Sequence, residues 1–270
     1  MADKERVQLG AVQHTLLITL SARARETGKR RPVLRDPMAV SIVDSIGFDT
    51  ATYGSGWGDS VTVIRTSIFD HWVRSFLTEH PHGTVVELGC GLNTRFERVD
   101  NGSVHWVDVD LPDVIELRRR FFADTDRRTA VAASVLDSGW PDVVAERPGP
   151  YFFAAEGVLV YLPEDEVVAA MSGLGQRFPG ALAAFDSYPP PMLRQQHRQA
   201  DRKKMPAKWA WATIDPAALV GRMGMRVVES ASVGRPPKAV FDGLPARYRM
   251  LLPVINPIVQ GFGWLTLCRA

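Results

Sequence analysis

Five short apolar runs, residues 84–88, 104–109, 129–133, 151–155 and 181–185, recur through the middle of the chain, with helical stretches between them. Runs of this length, apolar at successive positions, read as strands covered on both faces. Consecutive parallel strands need crossover connections, which helices supply, so the alternation predicts a doubly wound, parallel α/β sheet. Ligands in such sheets bind beyond the carboxyl ends of the strands. The residues just after each strand therefore carry the functional reading.

Before the first strand, residues 9–25 and 38–46 read as helices, the second ended by Gly47, and residues 54–58 as a loose segment. A longer helix is predicted over 61–79, where Val61, Ile64, Ile68, Trp72, Val73 and Phe76 recur at three-to-four spacing. It carries Arg65 and Asp70. After the fifth strand a proline-rich, basic, Trp-containing stretch interrupts the pattern, and residues 225–229 and 264–268 read as closing strands. The expectation is one domain over 1–270: an N-terminal helical cap (1–82), a cofactor-binding core (83–187), a lid insertion (188–214) and the closing strands (215–270).

Hydrophobic content of 46% and charged content of 23% suffice for a sizeable core. The 32 basic and 30 acidic side chains leave a net charge of +2, too weak a field to argue for nucleic acid, and the basic stretches 23–31 and 198–204 read as solvated helix faces. Cys90 and Cys268 have no metal or redox spacing, so no metal is expected. Residues 1–6 are charged, and the apolar run 15–20 is too short to cross a bilayer, so a cytoplasmic protein without a membrane role is expected.

The first strand runs directly into Gly89-Cys90-Gly91-Leu92-Asn93-Thr94, placing glycines where the backbone must turn sharply and approach a ligand. A dinucleotide fingerprint would want a third glycine where Thr94 stands, which argues against NAD. Glu87, just before the turn, would oppose a pyrophosphate but suits a sulfonium and an amino-acid moiety. Alone, the two-glycine turn also fits a purely structural bend or another ligand.

The second strand ends in Asp108-Val109-Asp110-Leu111-Pro112, about 20 residues past the glycines, where a carboxylate meets ribose hydroxyls. Asp110 is the better candidate, because only the terminal residue clears the sheet edge. After the third strand, Ser134 and Val135 could meet the edge and face of an adenine. After the fourth comes Glu156, a carboxylate that is costly beside a buried strand unless it meets a cation or donors.

Five ordered blocks then resemble one family. They are Arg23-Ala24-Arg25 with Arg31-Pro32 and Arg35-Asp36-Pro37; Arg65 with Phe69-Asp70; Glu87 to Arg95; Val107 to Pro112; and Glu156-Gly157-Val158-Leu159-Val160-Tyr161-Leu162-Pro163. The chain resembles the leucine carboxyl methyltransferase family, in particular its bacterial branch of tetracenomycin-type polyketide O-methyltransferases. The resemblance implies a class I methyltransferase fold: a Rossmann-like, mostly parallel seven-stranded sheet with an antiparallel last strand, plus N-terminal helices. It implies S-adenosyl-L-methionine as cofactor and S-adenosylhomocysteine as product. Arg65 would reach the methionine carboxylate, Gly89 and Gly91 line the turn, Asp110 and Leu111 flank the ribose, and Glu156, with Tyr161 nearby, lie by the amino group. Where protein-methylating relatives carry an acidic residue followed by Leu at the adenine site, this chain has Ser134-Val135.

The resemblance implies a small-molecule acceptor, polyketide-like or aromatic, methylated on a hydroxyl or a carboxyl; protein carboxyl methyl-esterification and a non-catalytic cofactor-binding fold remain as alternatives. Methyl transfer from a sulfonium is an in-line displacement, so a base is needed only if the acceptor oxygen is not already ionised. His14, His71, His197, Tyr161, Tyr188 and Asp186 are the candidates, each more readily read as a structural or surface residue. Trp209 and Trp211 offer either a flat acceptor-binding surface or core packing.

Overall fold

The computed structural model describes residues 14–46, 56–203, 207–259 and 263–270. Seven strands, β1 (Thr84–Leu88), β2 (His105–Asp110), β3 (Arg128–Ala132), β4 (Tyr151–Ala155), β5 (Leu182–Ser187), β6 (Arg226–Ala231) and β7 (Trp264–Arg269), form one sheet. Their order is β3-β2-β1-β4-β5-β7-β6. β1 to β5 are parallel, and β7 lies antiparallel between β5 and β6. The order reverses between β1 and β4, which opens a crevice at their carboxyl ends.

Among the described residues, three helices precede the sheet: α1 (His14–Thr27), α2 (Pro37–Ile46) and α3 (Trp57–Glu79). The crossovers carry α4 (Arg95–Val99), α5 (Pro112–Arg118), α6 (Trp140–Ala145) and α7 (Glu164–Arg177). After β5 come α8 (Pro190–Lys203) and α9 (Pro216–Arg222), and α10 (Lys238–Gly243) and α11 (Ala246–Val259) fill the connection from β6 to β7.

Alternating side chains of β1 explain the continuous apolar run. Val86 and Leu88 pack on one face with Phe153, Val144 of α6 and Val167 and Met171 of α7. Val85 packs on the other with Trp106, Phe152 and the Ile64, Ile68 and Trp72 row of α3. Each such side chain contributes about 1.5–3 kcal/mol when fully buried. A third cluster joins Leu17 and Leu20 of α1 and Ile42 of α2 to Leu92 and Leu117, so the N-terminal helices are seated over the glycine turn.

Only β1 and β4 keep the expected bounds; β2, β3, β5, β6 and β7 are shifted or extended by one or two residues, and β5 and β6 show why. β5 continues through Asp186 and Ser187, two residues past its apolar run, because the Asp186 carboxylate is partnered inside the fold. β6 alternates between exposed and covered positions, as an edge strand does, and its pairing to β7 shifts register between Val227 and Glu229. The described part of residues 188–214 holds α8 and, from Ala207 on, a segment that returns to the sheet: the Ala210 N–H donates to the Val160 carbonyl (2.7 Å) and the Thr213 N–H to that of Tyr188 (2.9 Å).

Candidate active site

The crevice at the β1–β4 switch is a cleft of about 360 Å³. Its floor is the turn after β1, where Gly89 (φ 60°) and Gly91 (φ 48°) both hold left-handed backbone. A Cβ on Gly89 would lie 2.7 Å from Val158 Cγ1 and nearer still to Cγ2, so glycine is required there sterically as well as conformationally. The turn is clasped from three sides. The Cys90 N–H donates to the Val109 carbonyl (3.1 Å), the Gly91 N–H to Asp110 Oδ2 (2.6 Å), and Arg118 Nη1 to the carbonyls of Gly91 (2.9 Å) and Asn93 (2.8 Å).

Asp110 sits at the end of β2 and lines the cleft, with Oδ1 accepting from the Leu111 N–H (2.8 Å). Burial raises its pKa, against the two backbone donors that favour the charged form. Asp108, two residues earlier in β2, does not line the cleft; its Oδ2 accepts from Arg118 Nη2 and Arg128 Nε at 2.9 Å each.

Glu87 is placed differently from the sequence expectation. It does not line the cleft but lies beneath the turn, where Oε1 accepts from Asn93 Nδ2 (2.9 Å) and pairs with Arg95. Burial raises its pKa, and Arg95 opposes that shift. Arg95 also pairs with Asp70 (2.9 Å) and with Glu156. From Asp70 the chain of ion pairs continues through Arg98 (2.7 Å) to Asp36 (3.0 Å) and Arg23 (2.9 Å), whose Nη2 donates to the Leu92 carbonyl at the turn (2.9 Å). Asp70 therefore serves Arg95 and Arg98 rather than Arg65. Sequence alone gave no reason to bury these residues, since unpaired charges of this kind belong at the surface and their ion-pair partners lie up to 62 positions away.

Glu156 follows β4 and lines the cleft, with Oε1 accepting from Arg65 Nε (3.0 Å) and Thr66 Oγ1 (2.7 Å). Burial alone would raise its pKa; Arg65 and Arg95 outweigh burial and lower it, so the carboxylate stays ionised. Arg65 reaches across from α3 and also donates from Nη1 to Asp186 Oδ2 (3.2 Å) and Tyr188 Oη (3.0 Å). Its Nη2 makes no hydrogen bond among the described residues. Burial would lower the Arg65 pKa, but Tyr188, Asp186 and Glu156 raise it well above its usual value.

Leu111, Ser134, Val135, Tyr161 and Tyr188 also line the cleft. Ser134 begins a loop closed by its N–H on Asp137 Oδ2 (2.8 Å) and by its Oγ accepting from the Leu136 N–H (3.2 Å). The Tyr188 ring stacks on Trp209 at 4.2 Å and 18°, and Trp209 reaches the cleft. Trp211 does not: it is buried in the core, its indole N–H donating to the Leu159 carbonyl (2.9 Å). His197 is tied to the Trp209 carbonyl (2.8 Å) and His71 belongs to a separate depression beside α2 and α10, so neither lines the cleft. The His14 side chain lies outside the described residues, as do 47–55, which include Gly54 and Ser55 of the expected loose segment, and Met205-Pro206 of the expected lid; of the rest of the loose segment, Gly56 is the N-cap of α3 and Trp57 and Gly58 already belong to that helix.

These residues fit S-adenosyl-L-methionine. Asp110 keeps acceptor capacity for a ribose diol, Arg65 Nη2 is available to a carboxylate, and the glycine turn lets a ligand lie against backbone. Among the described residues no cluster could hold a metal ion, and no helix is long and apolar enough to cross a membrane. Cys90 and Cys268 are free and buried.

Comparison with known proteins agrees. The model of the leucine carboxyl methyltransferase family matches residues 16–175. The tetracenomycin polyketide synthesis O-methyltransferase TcmP of Streptomyces glaucescens is 34% identical over 85% of this chain and 86% of its own length. The S-adenosyl-L-methionine-dependent methyltransferase dpfgK of Gibberella zeae is 30% identical over 65% of this chain and 64% of its own. In fold, the chain is similar to a DUF574 family protein of Streptomyces avermitilis, with a TM-score of 0.58 and 17% identity over 95% of this chain and 97% of that one. The chain belongs to the leucine carboxyl methyltransferase family and is a methyltransferase dependent on S-adenosyl-L-methionine.

Proposed function

We propose that the chain methylates an oxygen of a flat, apolar small molecule, of polyketide or other aromatic character, and that residues 188–214 form the lid over it. The observation that carries this reading is the Tyr188–Trp209 stack, which presents aromatic surface in the same cleft as Arg65 and Asp110. Flat apolar ligands bind such walls through area and ring stacking. The TcmP relative, named for polyketide synthesis, supports the same acceptor class.

In this reading Arg65 holds the methionine carboxylate, Asp110 the ribose hydroxyls, and Ser134 and Val135 the adenine. Glu156 and Tyr161 flank the amino group. When bound, the cofactor supplies an electrophilic methyl group. The protein then contributes alignment and exclusion of water, since an oxygen held on the methyl axis needs little else. No histidine lines the cleft among the described residues, Glu156 and Asp186 are committed to Arg65, and burial together with Asp186 raises the Tyr188 pKa so that its hydroxyl stays protonated. This favours an acceptor oxygen that ionises by itself, a carboxyl or an acidic phenol, over an aliphatic alcohol.

Supplying methyl-labelled S-adenosyl-L-methionine with phenolic polyketides, aromatic acids and peptides in parallel tests the reading. Label should enter the aromatic small molecules, with release by mild base marking an ester and resistance marking an ether. Label confined to peptides would contradict it.

A further inference from the structure

Arg65 is anchored on both sides. Glu156 takes its Nε, and Asp186 and Tyr188 together take Nη1, which leaves Nη2 as the guanidinium nitrogen directed to a ligand. Asp186 does more than pair with Arg65. Its Oδ1 accepts from the Gly157 N–H (2.6 Å), and its Oδ2 also accepts from the Tyr188 hydroxyl (2.5 Å). A carboxylate with three donors on two oxygens, 1% exposed at the end of β5, is poorly suited to collect a proton from an acceptor. It is well suited to fix what it touches.

We propose that Asp186 and the Tyr188 hydroxyl are positioning residues that set the rotamer of Arg65, and so the affinity for the methionine carboxylate of the cofactor, while the Tyr188 ring independently supports Trp209 in the acceptor wall. The proposal rests on the reading of Arg65 as the carboxylate contact. An arginine side chain has several rotatable bonds, and a free one would lose much of its freedom when it binds; here that freedom is already removed by fixed partners at the carboxyl ends of β4 and β5. The guanidinium is planar, so bonds at Nε and Nη1 define where the N–H groups of Nη2 point. Gly157 (φ 71°) belongs to the same device. A Cβ there would stand 3.3 Å from Arg65 Nη2, so glycine leaves this side of the guanidinium open. The one tyrosine therefore serves two sites through different atoms, and these can be separated by mutation.

The test measures S-adenosylhomocysteine affinity by calorimetry, and kcat and both KM values, for Asp186→Asn, Tyr188→Phe, Arg65→Lys and the Asp186→Asn/Arg65→Lys double variant, with circular dichroism and melting to verify folding. Asp186→Asn should raise Kd and the cofactor KM about tenfold or more, with a smaller change in kcat, since a charged hydrogen bond is lost. Tyr188→Phe, which keeps the ring, should raise the cofactor KM severalfold and leave the acceptor KM in place. In the double variant the effects on Kd should be clearly less than multiplicative, because both act through one guanidinium. A general base would behave otherwise: kcat would collapse in Asp186→Asn, its acid limb would vanish from the pH profile, and Kd would hold. That result overturns the proposal, as do fully multiplicative effects. If Arg65→Lys leaves Kd unchanged, the reading of Arg65 and the proposal fall together; if Arg65→Lys weakens binding and Asp186→Asn does not, the proposal alone falls. Should Asp186→Asn fail to fold, Tyr188→Phe and its double variant with Arg65→Lys carry the same comparison.

Discussion

The Gly91 N–H donates to Asp110 Oδ2 at 2.6 Å, so the carboxylate that ends β2 also closes the turn that follows β1. With the Leu111 N–H on Oδ1, each oxygen is fixed by backbone and keeps capacity to accept from a ligand. Asp110→Asn would set an amide NH2 against one of these N–H donors. We expect S-adenosylhomocysteine affinity to fall at least tenfold and stability to drop by about 1–3 kcal/mol, read by calorimetry and by urea unfolding.

Gly89 is constrained by both φ and the Val158 side chain. Gly89→Ala should cost about 1–2 kcal/mol for the left-handed backbone and a further ~1–3 kcal/mol for overpacking. Adding Val158→Ala should recover only part of the loss, because space is restored and φ is not. Unfolding curves of the two variants separate the contributions.

Asp70 is the group whose pH dependence is most accessible. Burial would raise its pKa, but Arg98 and Arg95 bring it from the usual 3.8 to about 2. A folded-state pKa below the unfolded one gives stability that is present above about pH 4 and is lost as pH falls toward 2. The amount is about 2 kcal/mol. Urea unfolding between pH 5 and 2 should show a shallower acid loss in Asp70→Asn than in the parent, although the variant is less stable throughout because Arg95 and Arg98 lose a partner.

Trp209 and Trp211 should part company. Trp209→Ala removes cleft wall and should raise the acceptor KM while leaving S-adenosylhomocysteine affinity near its original value. Trp211→Ala removes a core side chain and its bond to the Leu159 carbonyl, and should cost about 3–5 kcal/mol of stability. Steady-state kinetics and melting distinguish the two.

The features legible in the sequence are those set by local rules. β1 to β5 showed as apolar runs because both faces of the sheet are covered, and Gly89, Gly91 and Asp110 showed because turns and strand ends have their own chemistry. What escaped was long-range pairing. Glu87 looked like a cofactor contact because its partner Arg95 is visible only once α4 is folded against the turn. Asp186 looked like the residue after a strand because its charge hid the last turn of pairing with β7. His197 stayed among the candidate bases because its partner, the Trp209 carbonyl, is a backbone group that no side-chain pattern reveals.

The most direct measurement is the melting temperature of the protein titrated with S-adenosylhomocysteine and, separately, with NADH. At one hundred times its dissociation constant, S-adenosylhomocysteine should raise the transition by roughly 5–10 °C, while NADH leaves it in place. Stabilisation by NADH and none by S-adenosylhomocysteine would contradict the assignment of this cleft.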